Sequence, residues 1–93
     1  MQLSELQQKI KDSDFNPDQP HGYFLKLIEE TGELSEAIRK GKTGQPDQES
    51  LKGSVAEELY DILYYVCALA NLYDIDLDKT HHLKEAVNKI KYG

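Results

Sequence analysis

Two acidic pairs stand out by residue type and spacing. Glu30 and Glu33 lie three apart in "KLIEETGELSEAI", and Glu58 and Asp61 lie three apart in "VAEELYDILYYV". A helix turns about 100° per residue, so each pair sets both carboxylates on one flank. Four such groups brought together repel strongly unless a cation sits between them. Oxygen-only ligands suit a hard divalent ion, so the expected chemistry is binding of Mg²⁺ or Mn²⁺. Glu29 and Glu36 point the other way and are expected to solvate an outer face.

The elements that must position these groups read as helices throughout. No segment alternates with period two over a strand length between turn signals. The spacing predicts helices over about 2–11, 22–40, 54–73 and 77–91, in a single domain of 93 residues. The loops between them, "DSDFNPDQPHG" and "GKTGQPDQES", carry Pro, Gly and polar residues. Ser54 and Asp76 are placed to cap the last two helices. In the second helix Phe24, Leu27, Thr31, Leu34 and Ile38 form an apolar seam. In the third, Val55, Leu59, Ile62, Val66, Leu69 and Tyr73 do the same, at the spacing of helices packed at shallow angles. The acidic pairs border these seams, so facing seams would bring four carboxylates together at the edge of a core. The third helix has a second apolar stripe, Tyr60, Leu63, Tyr64, Cys67 and Ala70. So short a chain cannot easily enclose both stripes, and a second subunit is expected to cover part of this helix.

Blander readings compete at each position. A Glu-x-x-Glu pair is commonly just a solvated helix face. Lys26 stands four residues before Glu30 and is expected to pair with it. His21, in a Pro-flanked loop, reads as a surface histidine or as a contact to a ligand. A carboxylate-bridged di-iron bundle would need Glu-x-x-His pairs. Only Asp78 and His81 have that spacing, and only once. Cys67 lies in an apolar run and reads as a small buried hydrophobe.

The formal net charge is −6. That argues against a nucleic-acid or anionic-membrane surface, either of which needs a basic patch. No apolar run reaches the roughly 18 residues needed to span a bilayer. "MQLSELQQKI" lacks the basic and apolar regions of a secretory signal, so a cytoplasmic protein is expected.

"EETGE" followed by "EELYD" resembles the E-E-x-x-E and E-x-x-D signature of the MazG-type all-α nucleotide pyrophosphohydrolases. The resemblance covers about residues 20–92, and the two motifs in order are specific as a set. It implies an all-α, four-helix protomer whose bundle is completed by homodimerisation, with a homotetramer as a further possibility. It implies Glu30, Glu33, Glu58 and Asp61 as Mg²⁺ ligands, and Tyr65 as a contact to the nucleotide. "KEAVNKIKYG" is similar to the family's basic tail, which makes Lys84, Asn88 and Lys91 candidate phosphate contacts. Lys91 stands where an arginine is common and would bind phosphate as a point charge. The implied reaction is Mg²⁺-dependent hydrolysis of a nucleoside triphosphate to the monophosphate and pyrophosphate. Water would attack the α-phosphorus, with Glu30 or Glu33 taking its proton. The competing reading is a non-catalytic helical interaction protein that keeps an acidic edge.

Overall fold

The computed structural model of the chain describes residues 1–44 and 47–92, without the side chains of residues 91 and 92. Among the described residues five helices follow one another: α1 (Leu3–Ser13), α2 (Pro20–Arg39), α3 (Gln48–Leu51), α4 (Val55–Leu72) and α5 (Leu77–Tyr92). No strand occurs among the described residues. The fold is all-α, as the periodicity predicts, with one short helix added.

Local chemistry explains most helix ends. Pro20 opens α2 two residues earlier than expected. A first-turn N–H has no helical partner, so proline loses nothing there and brings the right φ. Ser54 caps α4 as predicted, its Oγ accepting from Glu57 N at 3.1 Å. Asp76 does the same for α5, accepting from Asp78 N at 2.9 Å and Lys79 N at 3.2 Å.

α2 and α4 form the main packed pair, α1 crosses α4, and α5 leans on α1. The α2–α4 pair is antiparallel: Glu33 meets Glu58 at one level, and Lys26 comes near Tyr65 at another. The core gathers Leu6 and Ile10 of α1, Tyr23 of α2, and Cys67 and Ala68 of α4. Two polar knots lock this arrangement. Asp14 accepts from the hydroxyls of Tyr23 and Tyr64, each at 2.6 Å, and so ties the first connection to α4. Gln7 is buried and bridges α1 to the α4–α5 turn. It donates to Ile75 O at 2.7 Å and accepts from Leu77 N at 2.9 Å.

The packed face of α2 differs from the expected seam. Phe24 and Ile38, taken as seam residues, are 46% and 61% exposed. From Tyr23 onward the residues shielded along this helix are Tyr23, Leu27, Glu30, Leu34 and Ala37, at steps of four and three. Glu30 therefore occupies a seam position itself rather than a flank. On α4 two residues of the expected seam, Leu59 and Tyr73, are exposed, while Glu58 is buried. The apolar stripes seen in sequence partly face outward, and the contact between α2 and α4 runs through the carboxylates.

Candidate metal centre

Glu30 and Glu33 project from the middle of α2, Glu58 and Asp61 from the first half of α4. One carboxylate oxygen each from Glu30, Glu33 and Glu58 lies within 4.8 Å of the other two. A second set of the same kind joins Glu57, Glu58 and Asp61, with Glu58 shared. Glu58 is only 5% exposed. Glu30 and Asp61 are half-buried and Glu33 is exposed, so the cluster opens to solvent on the Glu33 side. Glu30 Oε2 and Glu58 Oε2 are buried and have no hydrogen-bond partner.

The electrostatics follow from that crowding. Burial, then contact with Glu58 and Glu33 and the charges of Glu33 and Asp61, pushes Glu30 up to about 8. Burial also raises Glu58, with the close approach of Glu30 opposing and the contact with Glu33 and the Glu33 and Asp61 charges adding. Asp61 is raised by burial and by the Glu57 charge. Without a cation the cluster keeps a proton that free carboxylates would have lost. A buried carboxylate oxygen without a donor is costly, and two of them facing across a helix pair form an incomplete site. A hard divalent cation fits: the donors are all carboxylate oxygens, they come from two rigid helices, and one side stays open for water and ligand.

The other expected residues fall in different places. Tyr65, one turn beyond Asp61, lines a cleft of 310 Å³ with Asp14, Asn16, Tyr23 and Lys26. Burial raises its hydroxyl's pKa; among the charges, Lys26 lowers it and Glu30 and Asp61 raise it. His21 is exposed and lies in a separate cavity with Pro20, Phe24, Leu69 and Tyr73. Lys84 and Asn88 sit on α5, whose main contact is with α1 rather than with the two helices that carry the carboxylates. The side chain of Lys91 lies outside the described residues. Lys26 pairs with Glu29 at 3.5 Å, not with Glu30. Glu30 turns inward, and a neighbour three residues away remains for the lysine on the surface. Glu36 faces water and pairs with Arg39 and Lys40. His81 pairs with Glu85, and Asp78 accepts from Ser4 N at 3.0 Å; neither takes part in a metal cluster among the described residues.

One member of the acidic cluster was not anticipated. Glu57 stands four residues before Asp61, the spacing of side chains on one helix face. Its Oε1 accepts from Gly53 N at 2.9 Å. That bond ties Glu57 to the turn before α4.

Fold and site together define an all-α chain whose two central helices share a carboxylate-only cluster. The MazG nucleotide pyrophosphohydrolase domain model matches residues 18–92, and the chain belongs to this family. It is 66% identical to iMazG from Vibrio DAT 722, whose crystal structure superimposes with a TM-score of 0.94. That match covers 100% of this chain and 99% of the other. A second crystal structure of the same protein matches with a TM-score of 0.92 at 67% identity, over 96% and 99% of the two chains. The chain is also 32% identical to human and rat dCTP pyrophosphatase 1 over 78 residues, 80% of its own length. It spans 46% of the length of these curated relatives.

Proposed function

We propose that this chain hydrolyses a nucleoside triphosphate to the monophosphate and pyrophosphate, using a divalent cation held by Glu30, Glu33, Glu58 and Asp61. The observation that carries this reading is the pair of buried, partnerless oxygens on Glu30 and Glu58, contributed by different helices. Family membership supports the reaction type, and the two relatives make dCTP the first substrate to test. Bound Mg²⁺ or Mn²⁺ would neutralise charge on the phosphoryl oxygens and so let an acidic site accept a polyanion. The chain's own groups supply the rest. Glu30 and Glu58 hold the α2 and α4 ligand sets at fixed separation. Tyr65 and the cleft beside it offer an aromatic wall and amide groups for a base. Water attacks the α-phosphorus, the bond to the bridging oxygen breaks, and pyrophosphate leaves. Glu30 or Glu33 takes the water's proton. Exposed apolar residues on α2, α4 and α5 support a homodimer or homotetramer, in which Lys84 and Asn88 of one copy would reach the site of another. Acting on free nucleotides, the protein would work in the cytoplasm. No helix among the described residues is long and apolar enough to cross a membrane.

A panel of NTPs and dNTPs, assayed for Mg²⁺-dependent pyrophosphate release, tests this. Glu33→Gln and Glu58→Gln should each remove most activity, and the double variant should be little worse, because ligands of one ion act as a unit. Asp12→Asn on α1 removes one exposed charge that belongs to neither carboxylate set and should leave the rate unchanged. If the wild type releases no pyrophosphate from any nucleotide with either cation, the interaction-protein reading is the better one.

A further inference from the structure

A cleft of 380 Å³ continues from the carboxylates toward the C-terminal end of α2. Glu33 and Glu58 form its inner wall, and Lys40, Lys42 and Lys52 form its rim. Resting on the function proposed above, we propose that this lysine-rimmed cleft takes the β- and γ-phosphates of the substrate and then the pyrophosphate product.

The backbone holds the lysines in place. Lys42 N donates to Ala37 O at 3.0 Å, and Lys42 O accepts from Val55 N at 2.7 Å, so the loop is stitched to both helices at this residue. Lys52, with φ −60° and ψ 124°, precedes Gly53 at φ +71°. Ser54 N closes that turn onto Leu51 O at 3.0 Å. These are the angles of a type II turn, in which the third residue must accept positive φ, and glycine does so without strain. The turn presents Lys52 at its exposed corner. Lys40 is paired with Glu36 at 3.2 Å. Lys42 and Lys52 form no ion pair among the described residues.

The order of groups along α2 gives the cleft its direction. Lys26 and the Tyr65 cleft come first, then Glu30 and Glu33, then Lys40. Lys40 lies roughly 10 Å along the axis from Glu33 at the usual helical rise. Extended phosphates and a reaching lysine side chain cover that interval between them. A nucleotide laid along this line puts its base at Tyr65, its α-phosphate at the carboxylates and its terminal phosphates among the lysines. Charge agrees. Three lysines face Glu33, Glu36, Glu57 and Glu58 in the cleft, a formal excess of one negative charge that a divalent cation reverses. The buried, partnerless oxygen of Glu58 on the shared wall couples the two halves. Ammonium groups bind phosphate as point charges and tolerate both bound substrate and departing product.

Calorimetric titration of pyrophosphate and of a nucleoside monophosphate, each with Mg²⁺, tests the assignment. The wild type should bind pyrophosphate only with the cation present. Lys42→Gln and Lys52→Gln should each weaken pyrophosphate about tenfold, the usual scale for one charge-assisted contact. Monophosphate affinity should change less than twofold, and Lys42→Arg should retain most of the pyrophosphate binding. In turnover, the variants should show a raised KM for triphosphate and weaker inhibition by product. Both lysines are exposed, and unchanged melting curves would show that the fold is intact. Wild-type affinity in both glutamine variants overturns the proposal, as does failure of the wild type to bind pyrophosphate. Loss confined to Lys84→Gln would overturn it too, by moving the phosphates to α5. If no nucleotide is hydrolysed, the proposed function fails, yet the titration still decides whether the cleft binds pyrophosphate. If hydrolysis proceeds and the titration is unmoved by the variants, only the cleft assignment fails.

Discussion

Glu30 fills a position between Leu27 and Leu34 in the packed face of α2 that an apolar residue would ordinarily occupy. Its environment raises it to about 8 from an ordinary value of 4.5. Between those two values the folded chain carries a proton that the unfolded chain has released. Unfolding then releases protons, so this group's contribution to stability is full below about 4.5 and is lost as pH rises through about 8. The metal-free protein should therefore melt at progressively lower temperature from about pH 5 to about pH 8. Mg²⁺ or Mn²⁺ displaces the proton and binds only the folded state, so the cation's stabilising increment should grow over the same range. Glu30→Gln removes the titration and should flatten the metal-free profile relative to wild type. Calorimetric scans in chelator and in Mg²⁺ give the comparison. A wild-type profile no steeper than that of Glu30→Gln would mean that Glu30 is not held protonated. The type and spacing of Glu30, Glu33, Glu58 and Asp61 were legible in sequence because helical periodicity fixes which side chains share a face. Their depth was not. Period-reading assigns the seam to apolar residues, and here polar residues hold it. The lysine cleft was also invisible, since two of its three cations come from turns with no period.

The start of α4 is the element on which the site's geometry depends, since Glu57 and Glu58 stand in its first turn. Ser54, wholly buried, caps it, and Gly44 lies directly against Ser54. A Cβ added at Gly44 would sit 2.6 Å from Ser54 Oγ and 2.8 Å from its Cβ, at φ +87°. Gly44→Ala should thus cost about 2–3 kcal/mol, from left-handed strain plus displacement of the cap. Gly41 has φ +69° but nothing within 4 Å of an added Cβ, so Gly41→Ala should cost only about 1 kcal/mol. Ser54→Ala should cost about 1 kcal/mol, the usual value of a lost N-cap. Urea midpoints at constant slope measure all three; equal losses for Gly44→Ala and Gly41→Ala would show that the clash is relieved elsewhere. Four helices were legible because each runs long enough to show its period. α3 was not: its four residues make a single turn. The knots at Asp14 and Gln7 were hidden as well, because the partners that tie them to α4 and to the α4–α5 turn, Tyr64 and Ile75, lie 50 or more residues away in sequence.

At the scale of the molecule, one chain leaves much apolar surface uncovered. Phe24, Leu25 and Ile28 on α2 and Leu59, Tyr60 and Leu63 on α4 are all exposed. On α5, Leu83, Val87 and Ile90 form a stripe that nothing covers, at 69%, 54% and 88% exposure. Scattered surface apolar residues are ordinary, but stripes on three helices are not. Of the second apolar stripe of α4, Tyr64, Cys67 and Ala70 are covered within the chain itself, and only its first part, Tyr60 and Leu63, is left exposed. Lys84 and Asn88 stand on α5, and neither forms an ion pair or side-chain hydrogen bond among the described residues. Sedimentation equilibrium at micromolar concentration should give a dimer or tetramer. Leu83→Glu with Val87→Glu places charge where the single chain already meets solvent, so helicity should be retained while association weakens. If α5 of one copy serves the site of another, pyrophosphate release per chain should fall in that variant in proportion to the monomer formed. A wild type that sediments as a fully helical monomer removes the homo-oligomer from the account. It would also leave Lys84 and Asn88 with no partner copy through which to reach the substrate, and Lys40, Lys42 and Lys52 as the cations that line the cleft beside the carboxylates.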